Sequence, residues 1–428
     1  MINAARNYFV FLRRCARIAF VGDWRYYAWM GGLTVICLLG LNAYAKQLVH
    51  GLVVTGMSDE VSWGVYIANF TFLVGVAAAA VMMVIPVYIY DNEELHDLVI
   101  FGELLAVAAI LMCLAFVTVD LGRPDRFWHL IPGVGQMNFP RSMLSWDVLV
   151  LNGYLLLNVH ICGYLLYCRY QNRKPAKWFY IPFVFCAIAW AISIHTVTAF
   201  LYVGLGGRPF WNASIVGPRF LASAFTAGPA IIILALQIIR HVTNYRITDK
   251  ALLTLRGIVQ VSMIINVFLL ICEVFKEFYS GTTNAASAHY LFIGLHGHNA
   301  LVPWIWTAIG FNLIAMVILV LPVSRGLKYL NVACVLSIVG IWIEKGMGLV
   351  IPGFIPTPLG AIVDYLPSLN ETFVCLGIWA FGLLCYTIFL RMSVPILQGR
   401  MSKANEGQPE IQGDAPVAHE SLPDAAHH

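Results

Sequence analysis

Polar side chains of the kinds that hold or move protons recur at helical spacing inside otherwise apolar sequence. Ser62, Tyr66 and Asn69 stand at i, i+4 and i+7, so one helix face carries all three. Asp147, Tyr154 and Asn158 follow the same rule at i, i+7 and i+11, and His195, Thr198 and Tyr202 at i, i+3 and i+7. Ser262, Asn266, Glu273 and Glu277 share a further face, with Lys276 beside it. Asp120 and Asp147 are both expected at one membrane boundary, within reach of Arg123, Arg126 and His129. A carboxylate beside an imidazole can pass protons, and an arginine can keep the carboxylate charged. Arg219 opens another apolar run, Glu344 and Lys345 are adjacent, and Glu103 and His160 fall toward the opposite boundary.

The elements that position these groups must be membrane helices. The chain is 60% hydrophobic and 11% charged, with a mean hydropathy of +0.77, too apolar for a water-soluble fold of 428 residues. A spanning helix needs about 20 mostly apolar residues. The runs predict ten helices at 25–48, 61–90, 98–119, 146–168, 179–205, 219–240, 251–278, 299–322, 329–350 and 371–392. The fold class is an all-α integral membrane protein, its helices in bundles. Of the 26 basic residues, 18 fall on the side of the termini and 8 on the other side or in the spans. Both termini are therefore expected in the cytoplasm. Residues 1–24 read as a cytoplasmic segment, 25–392 as the membrane domain and 393–428 as a polar, disordered tail. The charge of +4 follows from this topology and is no nucleic-acid footprint. Ten cysteines with no C-x-x-C pair predict neither an iron–sulfur cluster nor a disulfide.

The outer loops at 120–146, 206–218, 280–299 and 351–370 are long and rich in Pro, Gly, Trp, Arg and His. Such loops either cap the bundle or dock a partner, and docking is the expectation favoured here. The polar face from Ser62 to Asn69, topped by Trp63, suits a quinone head group, whose carbonyls need donors and whose ring needs flat apolar walls. The same face serves interhelical hydrogen bonding equally well. Gly75 and Ala79 form a small-residue seam for close helix approach. The acidic and basic groups near Asp120 read equally as a salt-bridge knot. His195 and Glu273 are assigned to proton transfer, Glu344 and Lys345 to structure.

Several stretches resemble the NrfD, or polysulfide reductase membrane-subunit, family in its ten-helix branch. They are Trp63-Gly-x-Tyr-Ile-x-Asn-Phe, the run from Asp120 to His129, Ser145-Trp-Asp, Ser193 to Tyr202, Gly207-Arg-Pro-Phe-Trp, Pro218 to Phe225, Val274 to Thr283 and Val302-Pro-Trp-Ile-Trp. The resemblance covers nearly all of residues 24–392. It implies a subunit of a menaquinone reductase-type complex with no metal, haem or cluster of its own, inactive alone, in a bacterial inner membrane. Its implied partners are a periplasmic ferredoxin-like iron–sulfur subunit, a molybdopterin-type subunit and a multihaem cytochrome c. The implied quinone residues are Ser62, Trp63, Tyr66, Asn69, Asp120, Arg123, His129, Asp147 and Tyr154. The proton pathway is assigned to His195, Thr198, Arg219, Glu273, Lys276, Glu277, Glu103 and His160, and partner docking to Arg126, Trp128, Arg208 and Trp211. Two other readings stay open. A haem-b quinol oxidoreductase needs paired axial histidines, and only His160 and His195 lie deep in spans. A secondary transporter needs spans broken in midcourse, whereas Pro218, Pro229 and Pro303 are expected near span ends.

Overall fold

A computed structural model describes residues 2–90, 92–279, 281 and 285–405. The described residues contain no strand, only two isolated bridges, Pro132 with Gly135 and Leu295 with His298. Ten helices are long and apolar enough to cross a membrane: Trp24–His50, Val65–Tyr88, Val99–Asp120, Met143–Tyr170, Lys177–Val203, Val216–Thr243, Asp249–Tyr279, Val302–Val320, Leu327–Phe354 and Leu369–Leu397. We number them as spans one to ten. Most ends lie within a few residues of the sequence expectation. The tenth span runs to Leu397, into the stretch expected to be tail, and residues 406–428 lie outside the described residues. The expected N-terminal segment is itself a helix, Ile2–Ala19.

The spans pack as two rings of four. Spans two to five form one and six to nine the other, and the first and tenth spans pair along the third. The second and sixth spans form the main seam between the rings. A Cβ on Gly228 would collide with Ala79 Cβ, and one on Gly75 would touch Ala224, so the expected small-residue seam exists and its partner is the sixth span. Gly40 and Gly377 make a similar crossing between the first and tenth spans. Two spans are irregular. The second passes through a 3-10 turn at Ala78–Ala80, and the ninth breaks at Gly346 before the short helix Met347–Val350. Pro229 lies in the middle of the sixth span rather than at its end, because that helix starts at Val216 and ends at Thr243.

Both termini lie at one face of the bundle. Arg14 donates to the Ser402 carbonyl at 3.0 Å, and Gln398 donates to the Thr243 carbonyl at 3.4 Å.

Candidate functional site

At the opposite face the loops largely fold inward. Trp211 is fully buried and stacks on Trp63, with ring centroids 5.6 Å apart. Phe354 and Tyr202 meet the same indole edge-on at 4.9 and 5.3 Å, and Trp211 Nε1 donates to the Leu349 carbonyl at 2.8 Å. Gly353 lies against this indole where any Cβ would collide with it. Arg208 lies over the Phe354 ring and donates to its carbonyl at 3.0 Å, and burial lowers the pKa of its guanidinium. Neither Trp211 nor Arg208 is available for docking as the sequence suggested: both close the aromatic box. The loop before the tenth span is anchored likewise. Glu371 accepts from Tyr365 at 2.9 Å, from Gly56 N at 2.6 Å and from Ser368 N at 2.9 Å, inside a capping box. Burial and the adjacent Glu371 hold the Tyr365 phenol well above its usual pKa.

Residues 121–142 differ. Phe127, Trp128, Ile131, Val134 and Phe139 are exposed there, beside exposed Arg123, Arg126 and His129. Arg123 bonds Asp125 at 2.9 and 3.0 Å, which holds that carboxyl below its usual pKa. The expected contact of Arg123 with Asp120 or Asp147 is replaced by this local pair, because the chain leaves the third span and turns outward at Leu121. His129 stacks on Trp128 at 3.9 Å in the same exposed loop.

The expected polar faces are buried, yet several of their groups are already spent. Ser62 is exposed and precedes the helix, which starts at Val65, so it shares no face with Tyr66. Tyr66 donates to Gln47 Oε1 at 2.8 Å, and Gln47 Nε2 donates to the Val119 carbonyl at 2.6 Å. Asn69 Oδ1 accepts from both Trp342 and Trp379 at 3.0 Å, while its amide donates to Val65 O at 2.8 Å. Asn69 is therefore a cross-brace with no donor left for a quinone. Beside Val119, Asp120 keeps Oδ1 buried without a partner. Asp147 accepts from Thr198 at 3.2 Å, joining spans four and five, and Tyr202 shares a 2.5 Å hydrogen bond with Thr71 of span two. Tyr154 and Asn158 are buried on the Asp147 face as expected.

His195 Nδ1 lies 3.0 Å from the Ala191 carbonyl, which can only accept, so Nδ1 carries the proton. Its Nε2 is then an acceptor, buried and unpartnered. His195 lines a cavity between the rings with Thr71, Ser223 and Lys345, roomy enough for about one water. Lys345 contacts Glu344 Oε1 at 3.2 Å, and Arg219 donates to the same oxygen at 2.6 Å. Arg219 also pairs with Glu273, and Asn266 and Asn312 donate to Glu344 Oε2 at 3.4 and 2.8 Å. Glu344 and Lys345, assigned to structure from sequence, thus stand at the centre. Glu273 pairs with Arg219 rather than Lys276, which bonds Glu277 at 2.5 Å instead. A second cavity, lined by Arg219, Glu273, Glu344 and Glu277, continues the row toward half-exposed Lys276.

Toward the other face, Glu103 accepts from the Cys162 thiol at 3.1 Å. His160 packs on Phe179 and Phe183 at 5.1 and 4.6 Å. Because His160 meets the fifth span at Phe179, 16 residues of helix, about 24 Å, separate it from His195. The two cannot be axial ligands of one haem.

Residues 53–356 match the family described as polysulphide reductase, NrfD. The chain belongs to the NrfD family. Among NrfD-related proteins it is 25% identical to a putative dimethyl sulfoxide reductase membrane subunit of Halobacterium salinarum, over 76% of this chain and 77% of that one. It is 22% identical to the Hdr-like menaquinol oxidoreductase integral membrane subunit of Archaeoglobus fulgidus, over 86% of this chain and 93% of that one. The menaquinone reductase integral membrane subunit of Nitratidesulfovibrio vulgaris is 22% identical, over 86% of this chain and 91% of that one. As an NrfD protein, the chain is a multi-pass membrane subunit of a quinone-linked respiratory oxidoreductase.

Proposed function

We propose that this chain is the quinone-site subunit of a menaquinone reductase-type complex. A quinone takes two electrons and two protons to become a quinol. The electrons come from an iron–sulfur partner, itself served by molybdopterin-type and multihaem cytochrome subunits. This partner is seated on the exposed loop of residues 121–142, at Arg126 and Trp128, on the periplasmic side of an inner membrane. The quinone head group binds at the outer ends of spans two to four, near Asp120, Tyr66, Gln47 and Asp147. Protons reach it along Lys276, Glu277, Glu273, Arg219, Glu344 and Lys345, then across the cavity to His195. Glu103 and His160, at the other face, serve an electrogenic intake.

One observation carries this reading. Asp120 Oδ1 and His195 Nε2 are buried acceptors without partners, set in helices where every polar group needs one. The relatives named for menaquinone and menaquinol chemistry support the choice of substrate. The test is reduction of a soluble menaquinone analogue by the intact complex and by the isolated subunit. The intact complex should turn over and the isolated subunit should not. Activity in the isolated subunit, or a quinone bound beside Glu103 and His160, overturns the proposal.

A further inference from the structure

The helix Ile2–Ala19 has no part in this chemistry, yet its surface is built in three stripes. Phe11, Cys15 and Ala19 are buried against the protein, and Arg14 is held by Tyr170 OH at 3.2 Å and the Ser402 carbonyl. At about 100° per residue, Phe9, Leu12, Ala16 and Phe20 form the next stripe. Phe9 is 69% exposed, Leu12 46% and Phe20 70%. Beyond it run exposed Arg6, Arg13 and Arg17. None of these three pairs with an acid among the described residues, and residues 1–22 contain no Asp or Glu. The helix joins the first span directly, where exposed Trp24 and Tyr27 mark the head-group level.

We propose that this helix lies in the membrane interface and binds anionic phospholipid head groups along Arg6, Arg13 and Arg17, its Phe9–Leu12 stripe resting on the acyl chains. Charge complementarity commits it to an anionic leaflet. The apolar stripe, wedged between protein and arginines at the level where the first span begins, is covered by a bilayer and left bare by a soluble partner. The test reconstitutes the intact complex in an equimolar phosphatidylglycerol and phosphatidylcholine mixture and measures the lipids retained per complex by mass spectrometry. The wild type should be enriched in phosphatidylglycerol. Each arginine near an anionic surface contributes about fivefold, so the R6Q/R13Q/R17Q variant should lose enrichment by roughly tenfold or more with quinone turnover in detergent unchanged. Should that variant fail to assemble, the wild type alone decides: moving from about 0.1 to 1 M salt, which shortens screening to roughly 3 Å, should erase the enrichment. Equal lipid retention in variant and wild type, enrichment indifferent to salt, or loss of a soluble subunit without a lipid change overturns the proposal.

Discussion

His195 spends one ring nitrogen on its own helix and turns the other toward the cavity it shares with Lys345. A phenylalanine there keeps the packing and removes the acceptor. His195→Phe should slow quinone turnover about 100-fold, the lower range for a lost proton-transfer group, with the complex still assembled on a gel. Wild-type turnover would reduce His195 to a filler of space. Glu344 answers a different question, because it accepts from Arg219, Lys345, Asn266 and Asn312 at once. Removing one member of such a network strands the others, typically at about 3–5 kcal/mol. Glu344→Ala should therefore lower the thermal unfolding midpoint of the detergent-solubilised complex markedly, and Glu344→Gln should lower it less. Equal midpoints for all three proteins would show that the cluster does not hold the rings together.

The seam between the rings depends on one residue without a side chain. Gly228 lets the sixth span lie against Ala79, where the second span takes its 3-10 turn. Gly228→Leu should destabilise the fold by about 1–3 kcal/mol through overpacking, read as a lower unfolding midpoint. It should also disturb turnover, because Ser223 and Ala227 of the same helix line the His195 cavity. An unchanged midpoint would mean that the helices do not meet as closely as described. The elements themselves were legible in the sequence, because a bilayer demands apolar runs of a set length and the ten runs declare themselves. Faces were legible too, as with His195, Thr198 and Tyr202, which are all buried. Pairings were not. Nothing in one sequence says that Arg219 faces Glu273 and Glu344, since helices of equal hydropathy carry no mark of their neighbours. Gln47 was missed because it sits in the last turns of the first span beside Lys46, where polar residues are ordinary at a membrane boundary.

For the whole molecule, loop length misled and loop burial decides. Trp211 and Trp128 look alike in sequence, yet the first is fully buried and the second is 42% exposed. Trp128→Ala should weaken binding of the iron–sulfur partner by roughly tenfold or more, as loss of an aromatic anchor does, and leave the unfolding midpoint of this subunit in place. Trp211→Ala should do the reverse. Binding measured between the separated subunits and thermal melts of each variant check both, and a stable Trp211→Ala protein that fails to bind would reverse the assignment. The cross-brace at Asn69 also bears on how the chain is made. Its amide oxygen waits for Trp342 and Trp379, which follow 273 and 310 residues later. At ribosomal speeds of roughly 5–20 residues per second, that interval is roughly 15–60 s. Through it the second span is already handed to the lipid with a polar group unanswered, a mark that insertion chaperones and membrane proteases can read. The last helix to leave the ribosome is thus the one that cancels the mark, so an unfinished chain advertises itself and a finished one does not.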